Sequence, residues 1–256
     1  MPEALEPDTY DRNYYEQYTG RPYRRDEYWL GFFQAIADRI TETIRPARVL
    51  DAGCALGMLV EALRSRGVEA YGIDVSSYAI ANVHDSIRPF CREASVTREL
   101  EGRYDLIVSI EVLEHVPARE GEDAIANICR HTDDVLFSST PSDFREDTHV
   151  NVQPAEYWAE QFARHGLVRD VDYDASFITP WAVRFRRRGD PLPRIVRQYE
   201  RWNTSLATER GELRQLVAEL KRDVANAKAD AEVARQTIAN MERSFFWRMR
   251  TWLGRK

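Results

Sequence analysis

The stretch Val49-Leu50-Asp51-Ala52-Gly53-Cys54-Ala55-Leu56-Gly57 constrains this chain more than any other. It describes a short apolar strand that ends in an acid and runs into a turn of small residues. Only residues with little or no side chain let a backbone pass close to a ligand where a helix opens, so Gly53, Ala55 and Gly57 read as contact positions. A second strand over 68–73 ends in Asp74. In an open parallel sheet its tip lies beside the first strand at the switch point, where a carboxylate can accept the hydroxyl protons of a ribose. The spacing is Gly-x-Ala-x-Gly rather than Gly-x-Gly-x-x-Gly, so a nucleoside is implied and a diphosphate cradle is not.

The rest of the chain supplies such a sheet. From Arg48 onward, strand-like and helix-like segments alternate: strand 48–50, helix 58–66, strand 68–73, helix 77–86, a weak strand 91–96 and a strong strand 105–110. A helix at 123–131, a strand at 135–138 and a polar loop follow. A helix then runs from after Pro154 to Gly166, and two late strands at 167–173 and 182–185 complete the sheet edge. This order predicts an α/β fold with a doubly wound, Rossmann-like sheet. An aromatic-rich lead, Tyr14-Tyr15 through Phe32-Phe33, has helical spacing from Trp29 to Ile44 and reads as a helical lid before the sheet. The Arg186-Arg187-Arg188-Gly189-Asp190-Pro191-Leu192-Pro193 stretch breaks the sheet and marks the boundary. The predicted organisation is therefore a lid at 1–47, a core at 48–188, a coiled-coil helix at 189–243 and a basic aromatic tail at 244–256.

The two glycine-turn elements together with Tyr104-Asp105-Leu106-Ile107-Val108-Ser109-Ile110-Glu111-Val112-Leu113-Glu114-His115-Val116 resemble the class I S-adenosylmethionine-dependent methyltransferases. Three motifs in the right order, over roughly residues 14–186, carry the likeness. The middle glycine of the usual loop is Ala55 here. The resemblance implies S-adenosylmethionine as cofactor. It implies that Asp51 positions the methionine end, that Gly53, Cys54, Ala55 and Gly57 line it, and that Asp74 holds the ribose. Val75 would flank the adenine, and Glu111 to His115 would lie beside the methionine and sugar. Relatives that bond the adenine amino group use an acid after the third strand; here the sequence is Arg92-Glu93-Ala94-Ser95, leaving Ser95 or a backbone carbonyl for that contact.

Methyl transfer to an aliphatic hydroxyl benefits from a base that titrates near neutrality, which points to histidine. His149 falls in the loop after strand 135–138, on the side of the sheet where ligands bind, and is the first candidate; His115 is the second. Either could instead be a loop histidine bonded to backbone. Asp143, Glu146, Asp147 and His149 share that loop and would allow a magnesium site. Loops rich in Asp and Ser are commonly just turns, and the spacing has no strict ligand signature, so no metal is expected.

The segment His149-Val150-Asn151-Val152-Gln153-Pro154-Ala155-Glu156-Tyr157-Trp158 and the Ser-Phe-Phe-Trp-Arg ending look like bacterial methyltransferases of polysaccharide biosynthesis. That likeness implies O-methylation of a sugar hydroxyl on a bacterial glycan or glycan precursor. The rivals are a quinone or natural-product O-methyltransferase, and a non-catalytic scaffold in a glycan assembly complex.

Charge sharpens the division of the chain. Residues 1–183 carry 18 basic and 33 acidic side chains, whereas residues 184–256 carry 18 and 9. An acidic catalytic part argues against nucleic acid as substrate. The 3 cysteines, Cys54, Cys91 and Cys129, show no Cys-x-x-Cys spacing, and no secretion signal is apparent, so a reducing, cytoplasmic compartment is expected. Beyond Pro193, Val196, Asn203, Arg210, Val217, Val224, Ala231 and Ile238 form one heptad position, and Tyr199, Leu206, Leu213, Leu220, Ala227, Ala234 and Met241 the other. Such a stripe predicts a homo-oligomer; the bland alternative is a long amphipathic helix packed on its own domain. The basic aromatic end resembles interfacial anchors, which suggests a peripheral contact with the inner face of the membrane or with a glycosyltransferase complex.

Overall fold

The computed structural model describes residues 9–17 and 21–253, apart from the side chains of Trp247 and of residues 251–253. Residues 1–8 and 18–20 of the expected lid and the last three residues of the basic tail lie outside the described residues. The chain divides into two compact units, Met1–Pro191 and Leu192–Lys256.

The first unit opens with α1 (Arg12–Gln17) and α2 (Glu27–Thr43). Asp26 caps α2 by accepting the Trp29 amide at 3.1 Å, and the helix buries Phe33, Ile36, Ala37 and Ile40 along one stripe. The sheet then alternates with helices: β1 (Arg48–Ala52), α3 (Met58–Arg64), β2 (Glu69–Asp74), α4 (Ser77–Ala81), β3 (Cys91–Glu93), β4 (Leu106–Ile110), α5 (Ala118–His131), β5 (Asp134–Ser138), α6 (Ala155–Arg164), β6 (Leu167–Arg169) and β7 (Val183–Arg187). The spatial order is β3-β2-β1-β4-β5-β7-β6. Pairs among β1 to β5 are parallel, and β7 runs antiparallel to both β5 and β6. The sheet is thus a mixed one with the doubly wound order, and its direction of growth reverses between β1 and β4. That reversal opens the crevice where ligands bind in such folds.

The strands read as nearly continuous apolar runs because both faces are covered. Val49, Leu106, Val108 and Leu136 face the layer of α2 and α3, whereas Leu50, Ile107, Val135 and Phe137 pack with Ile125 and Ile128 of α5 and Trp158 and Phe162 of α6. Phe162 stacks on Phe185 with ring centroids 4.3 Å apart, fastening α6 to the antiparallel edge.

Several elements differ from the sequence reading, among them β3, which stops at Glu93 where a strand to 96 was expected, and β6, which stops at Arg169 where a strand to 173 was expected. The helix expected at 77–86 stops at Ala81, and Arg88 folds back to donate to the carbonyls of Ala81 and Val83 and to Asp85. Polar side chains that bond locally take over from the helix there. α5 starts at Ala118, directly after Pro117, well before the expected start at 123, because its first turn is polar and shows no apolar period. β7 runs two residues into the arginine stretch that was read as a break. Arg184 pairs with Asp134, Arg187 with Asp133, and Arg186 and Arg188 with Asp170. Those partners let a basic strand close an otherwise apolar sheet.

The second unit is one helix, α7 (Leu192–Leu253), of 62 residues. It continues without a break through the boundary at 243/244 expected between coil and tail. No helix among the described residues is long and apolar enough to cross a membrane.

Candidate active site

The turn after β1 is built from backbone conformations that most side chains resist. Gly53 has φ of 90°, and a Cβ there would meet Val112 Cγ2 at 2.3 Å, so neither the conformation nor the space admits another residue. The Gly53 and Cys54 amides both donate to the Ile73 carbonyl, which ties the turn to the end of β2. Ala55 follows at φ of 45°. Asp74 holds it there: Oδ2 accepts the Ala55 amide at 2.8 Å, and Oδ1 accepts the Ser76 amide at 2.9 Å. The two strand-end motifs therefore form one hydrogen-bonded edge.

A cavity of about 1340 Å³ lies over that edge. Asp51, Gly53, Cys54, Ala55, Asp74, Val75, Ser95, Glu111, His115 and His149 all line it, so ten of the eleven residues expected from sequence converge. Gly57 does not reach the wall. It sits at φ of 70° ahead of α3, where a Cβ would meet Ile87 at 2.5 Å, and so begins the helix instead of touching the ligand. Cys54 presents its backbone, since its thiol is buried beneath the turn, where a hydrogen bond with Cys91 and then burial push it up from its ordinary pKa. Ser95 Oγ lies 2.7 Å from Thr97 Oγ1 and accepts the Thr97 amide.

Two carboxylates face this cavity without a cation. Asp51 is 5% exposed, and burial followed by the charge of Asp74 pushes its pKa up to about 8. Burial also raises Asp74, opposed by its backbone N–H donors. Among the described residues neither carboxylate forms an ion pair. Such a pair is costly unless the ligand itself brings positive charge and hydroxyl donors.

The other end of the cavity is built by the loop after β5 and the turn after β4. Glu111 sits at φ of 51°, and its Oε1 accepts the Trp181 Nε1–H at 2.9 Å. Glu114 is fully buried below; its Oε1 accepts the Thr140 amide, and burial together with Glu111 drives its pKa well up. The Asn151 amide donates to the Glu114 carbonyl at 2.9 Å and its side chain to the Leu113 carbonyl at 3.2 Å. These bonds clamp the loop and place His149 beside His115, with ring centroids 4.7 Å apart. His115 Nδ1 donates to the Thr148 carbonyl at 3.2 Å, and burial with the neighbouring His149 lowers its pKa to about 4. His149 Nδ1 donates to the Asp143 carbonyl at 2.8 Å, while Nε2 lies 3.3 Å from Glu146 Oε2. Thr148 Oγ1 donates to Glu146 Oε1 at 2.6 Å and fixes the carboxylate. Two groups, Glu114 with His115 and His149, and Asp143 with Glu146 and His149, each bring potential ligand atoms within 4.8 Å of one another and could hold a cation.

The lead segment covers the site. Tyr10 and Tyr14 stand edge-on to His115 at 5.8 and 6.3 Å, and Ser76 Oγ donates to the Tyr10 carbonyl at 2.5 Å. Arg25 reaches Glu61 of α3 through two bonds of 2.7 and 2.9 Å. Trp181 escaped the sequence reading because β7 is antiparallel. The segment leading into β7, with Trp181 two residues before it, therefore lies at the carboxyl ends of the parallel strands, a placement that only the strand direction reveals.

This edge, with its paired acids, glycine turn and reversal between β1 and β4, is that of a class I methyltransferase. The family of methyltransferase domains matches residues 23–170, and the chain belongs to it. A ubiquinone biosynthesis O-methyltransferase of Burkholderia ambifaria is 34% identical over 155 residues, which is 57% of this chain and 64% of that protein. The corresponding enzyme of Burkholderia vietnamiensis is 32% identical over 143 residues, 52% of this chain and 59% of that protein. The chain thus spans about three-fifths of the length of the curated relatives it matches. In fold it is similar to the magnesium protoporphyrin IX methyltransferase of Synechocystis PCC 6803 solved with its S-adenosylmethionine, at 19% identity and a TM-score of 0.53, over 73% of this chain and 100% of that one. It is also similar to an amino pentose methyltransferase from Micromonospora echinaspora, at 16% identity and 0.52, with the same coverages. The family match makes this a methyltransferase domain, and S-adenosylmethionine is the group its motifs imply. The residues fit that group: its sulfonium and ammonium answer the unpaired carboxylates, and its ribose hydroxyls answer Asp74.

Proposed function

We propose that the chain transfers a methyl group to a sugar hydroxyl of a bacterial glycan or glycan precursor, with His149 as proton acceptor. The bound cofactor supplies an electrophilic methyl group on a positively charged sulfur. In this reading Asp74 would hold the ribose, Asp51 and the turn from Gly53 to Ala55 would hold the methionine end, and Val75 and Ser95 would border the adenine. Transfer to oxygen is the reaction for which the curated relatives are named.

The His149–Glu146 pair carries the reading. With Nδ1 committed as a donor to the Asp143 carbonyl, Nε2 offers the lone pair. A hydroxyl bound against it would lose its proton to Nε2 as its oxygen bonds the methyl carbon and the carbon–sulfur bond breaks to leave a neutral thioether, and Glu146, 3.3 Å away, would stabilise the imidazolium. His115 suits the part less well, because burial disfavours its protonated form. Thr140, Ser142, Asp143, Arg145 and Glu146 surround this end of the cavity with hydrogen-bonding groups beside Trp181. Polar partners next to an aromatic face match a ring that carries several hydroxyls.

A phenolic acceptor is the second reading, favoured by the names of the relatives and by Trp29, Phe32 and Phe33 lining the same cavity. Methyl-labelled cofactor supplied with a panel of oligosaccharides and catechols separates the two. Label on a sugar oxygen supports the first reading, label confined to catechols replaces it with the second, and no label on any acceptor favours a scaffold.

A further inference from the structure

The second unit shows a face with no counterpart in its own helix. Along α7, Val196, Leu206, Leu213, Val217, Leu220, Val224, Ile238 and Met241 are all exposed, from 42 to 67%. These residues are the two heptad positions of the sequence, and at about 1.5 Å per residue the helix extends roughly 90 Å. A helix of this kind takes its stability from packing its apolar stripe.

We infer that the stripe docks on the same stripe of a second copy of this chain, parallel and in register, as a two-stranded coiled coil over 196–241. The flanking charges select the partner and its direction. The positions just before the first seam position include Glu209, Asp223 and Asp230, and those just after the second include Arg214, Lys221, Lys228 and Arg235. In a parallel pair these flanks meet across the interface five residues apart, joining Glu209 to Arg214, Asp223 to Lys228 and Asp230 to Arg235 of the other copy. No like charges meet among these flank pairs; Arg210, at the first seam position, faces Arg210 of the other copy, a cost in stability that, with Asn203, fixes register. An antiparallel pair would set the acidic flank against itself and the basic flank against itself. Strand number follows from shape: Val196, Val217, Val224 and Ile238 put β-branched side chains at the first seam position, and Leu206, Leu213 and Leu220 put leucines at the second, a combination that favours two strands. Asn203 at the first position fixes register, and Ala227, Ala231 and Ala234 let the backbones approach.

Light scattering on the full chain should give twice the mass of 29.8 kDa. Met241→Cys should form a disulfide-linked dimer under mild oxidation, since identical seam positions face each other only in a parallel, in-register pair; Cys54, Cys91 and Cys129 are buried and do not compete. Asp223→Lys with Asp230→Lys should weaken the dimer by roughly tenfold to a hundredfold. Adding Lys228→Glu and Arg235→Glu to that chain should restore it. A monomer, a trimer, a Met241→Cys dimer that does not cross-link, or charge reversal without effect would each overturn the inference. None of these readouts depends on methyl transfer.

Discussion

Ala55 occupies a left-handed conformation that glycine takes freely and alanine does not, and Asp74 holds it there through the amide. Ala55→Gly should therefore raise the stability of the free protein by up to about 1 kcal/mol, read as a shift in denaturant midpoint at constant slope. Asp74 is the residue expected to hold the ribose. Asp74→Ala should cost about 1.5 to 3 kcal/mol of cofactor affinity, a tenfold to hundredfold change measurable by calorimetry on the folded variant. Asp51 adds a pH dependence. Its folded pKa of about 8 stands above its unfolded value, so its contribution to the free protein is fully present below about pH 4 and is lost as pH rises toward 8. Binding a cation favours the ionised form and releases that proton. Cofactor affinity should rise by up to about tenfold per unit between pH 6 and 8 and level off above, and Asp51→Asn should flatten the slope.

The elements show what a sequence can and cannot disclose. The glycine turn, Asp74 and the apolar strands were legible because each is local: a turn needs small residues, and a buried parallel strand needs an apolar run. The expected site residues converge for the same reason, as strand ends of one sheet are neighbours by topology. Glu114 falls in the Glu111 to His115 segment expected beside the cofactor, but only packing shows that it lies buried close to the histidine pair. Trp181 depended on a strand direction, and the true start of α5 on a proline whose following turn is polar. The loop after β5 was read as the carrier of His149, yet its anchoring by Asn151 to the Glu114 and Leu113 carbonyls is a tertiary fact. An imidazole base at that loop predicts that EDTA leaves turnover unchanged. Activity lost to the chelator and restored by magnesium or manganese would instead make the cluster around His149 a cation site.

At the scale of the molecule the two units separate two tasks. The cavity, its acids and its histidines all belong to residues before Pro191, whereas the apolar heptads belong to α7. A chain ending at Pro191 should therefore bind S-adenosylmethionine with unchanged affinity by calorimetry. The proposed proton acceptor in the first unit is one side chain, His149. Turnover and cofactor affinity measured together on His149→Ala test that most directly: kcat should fall by roughly 10² to 10⁴ while the cofactor Kd stays within about twofold. Unchanged turnover in the folded variant, with His115→Ala inactive in its place, would contradict it.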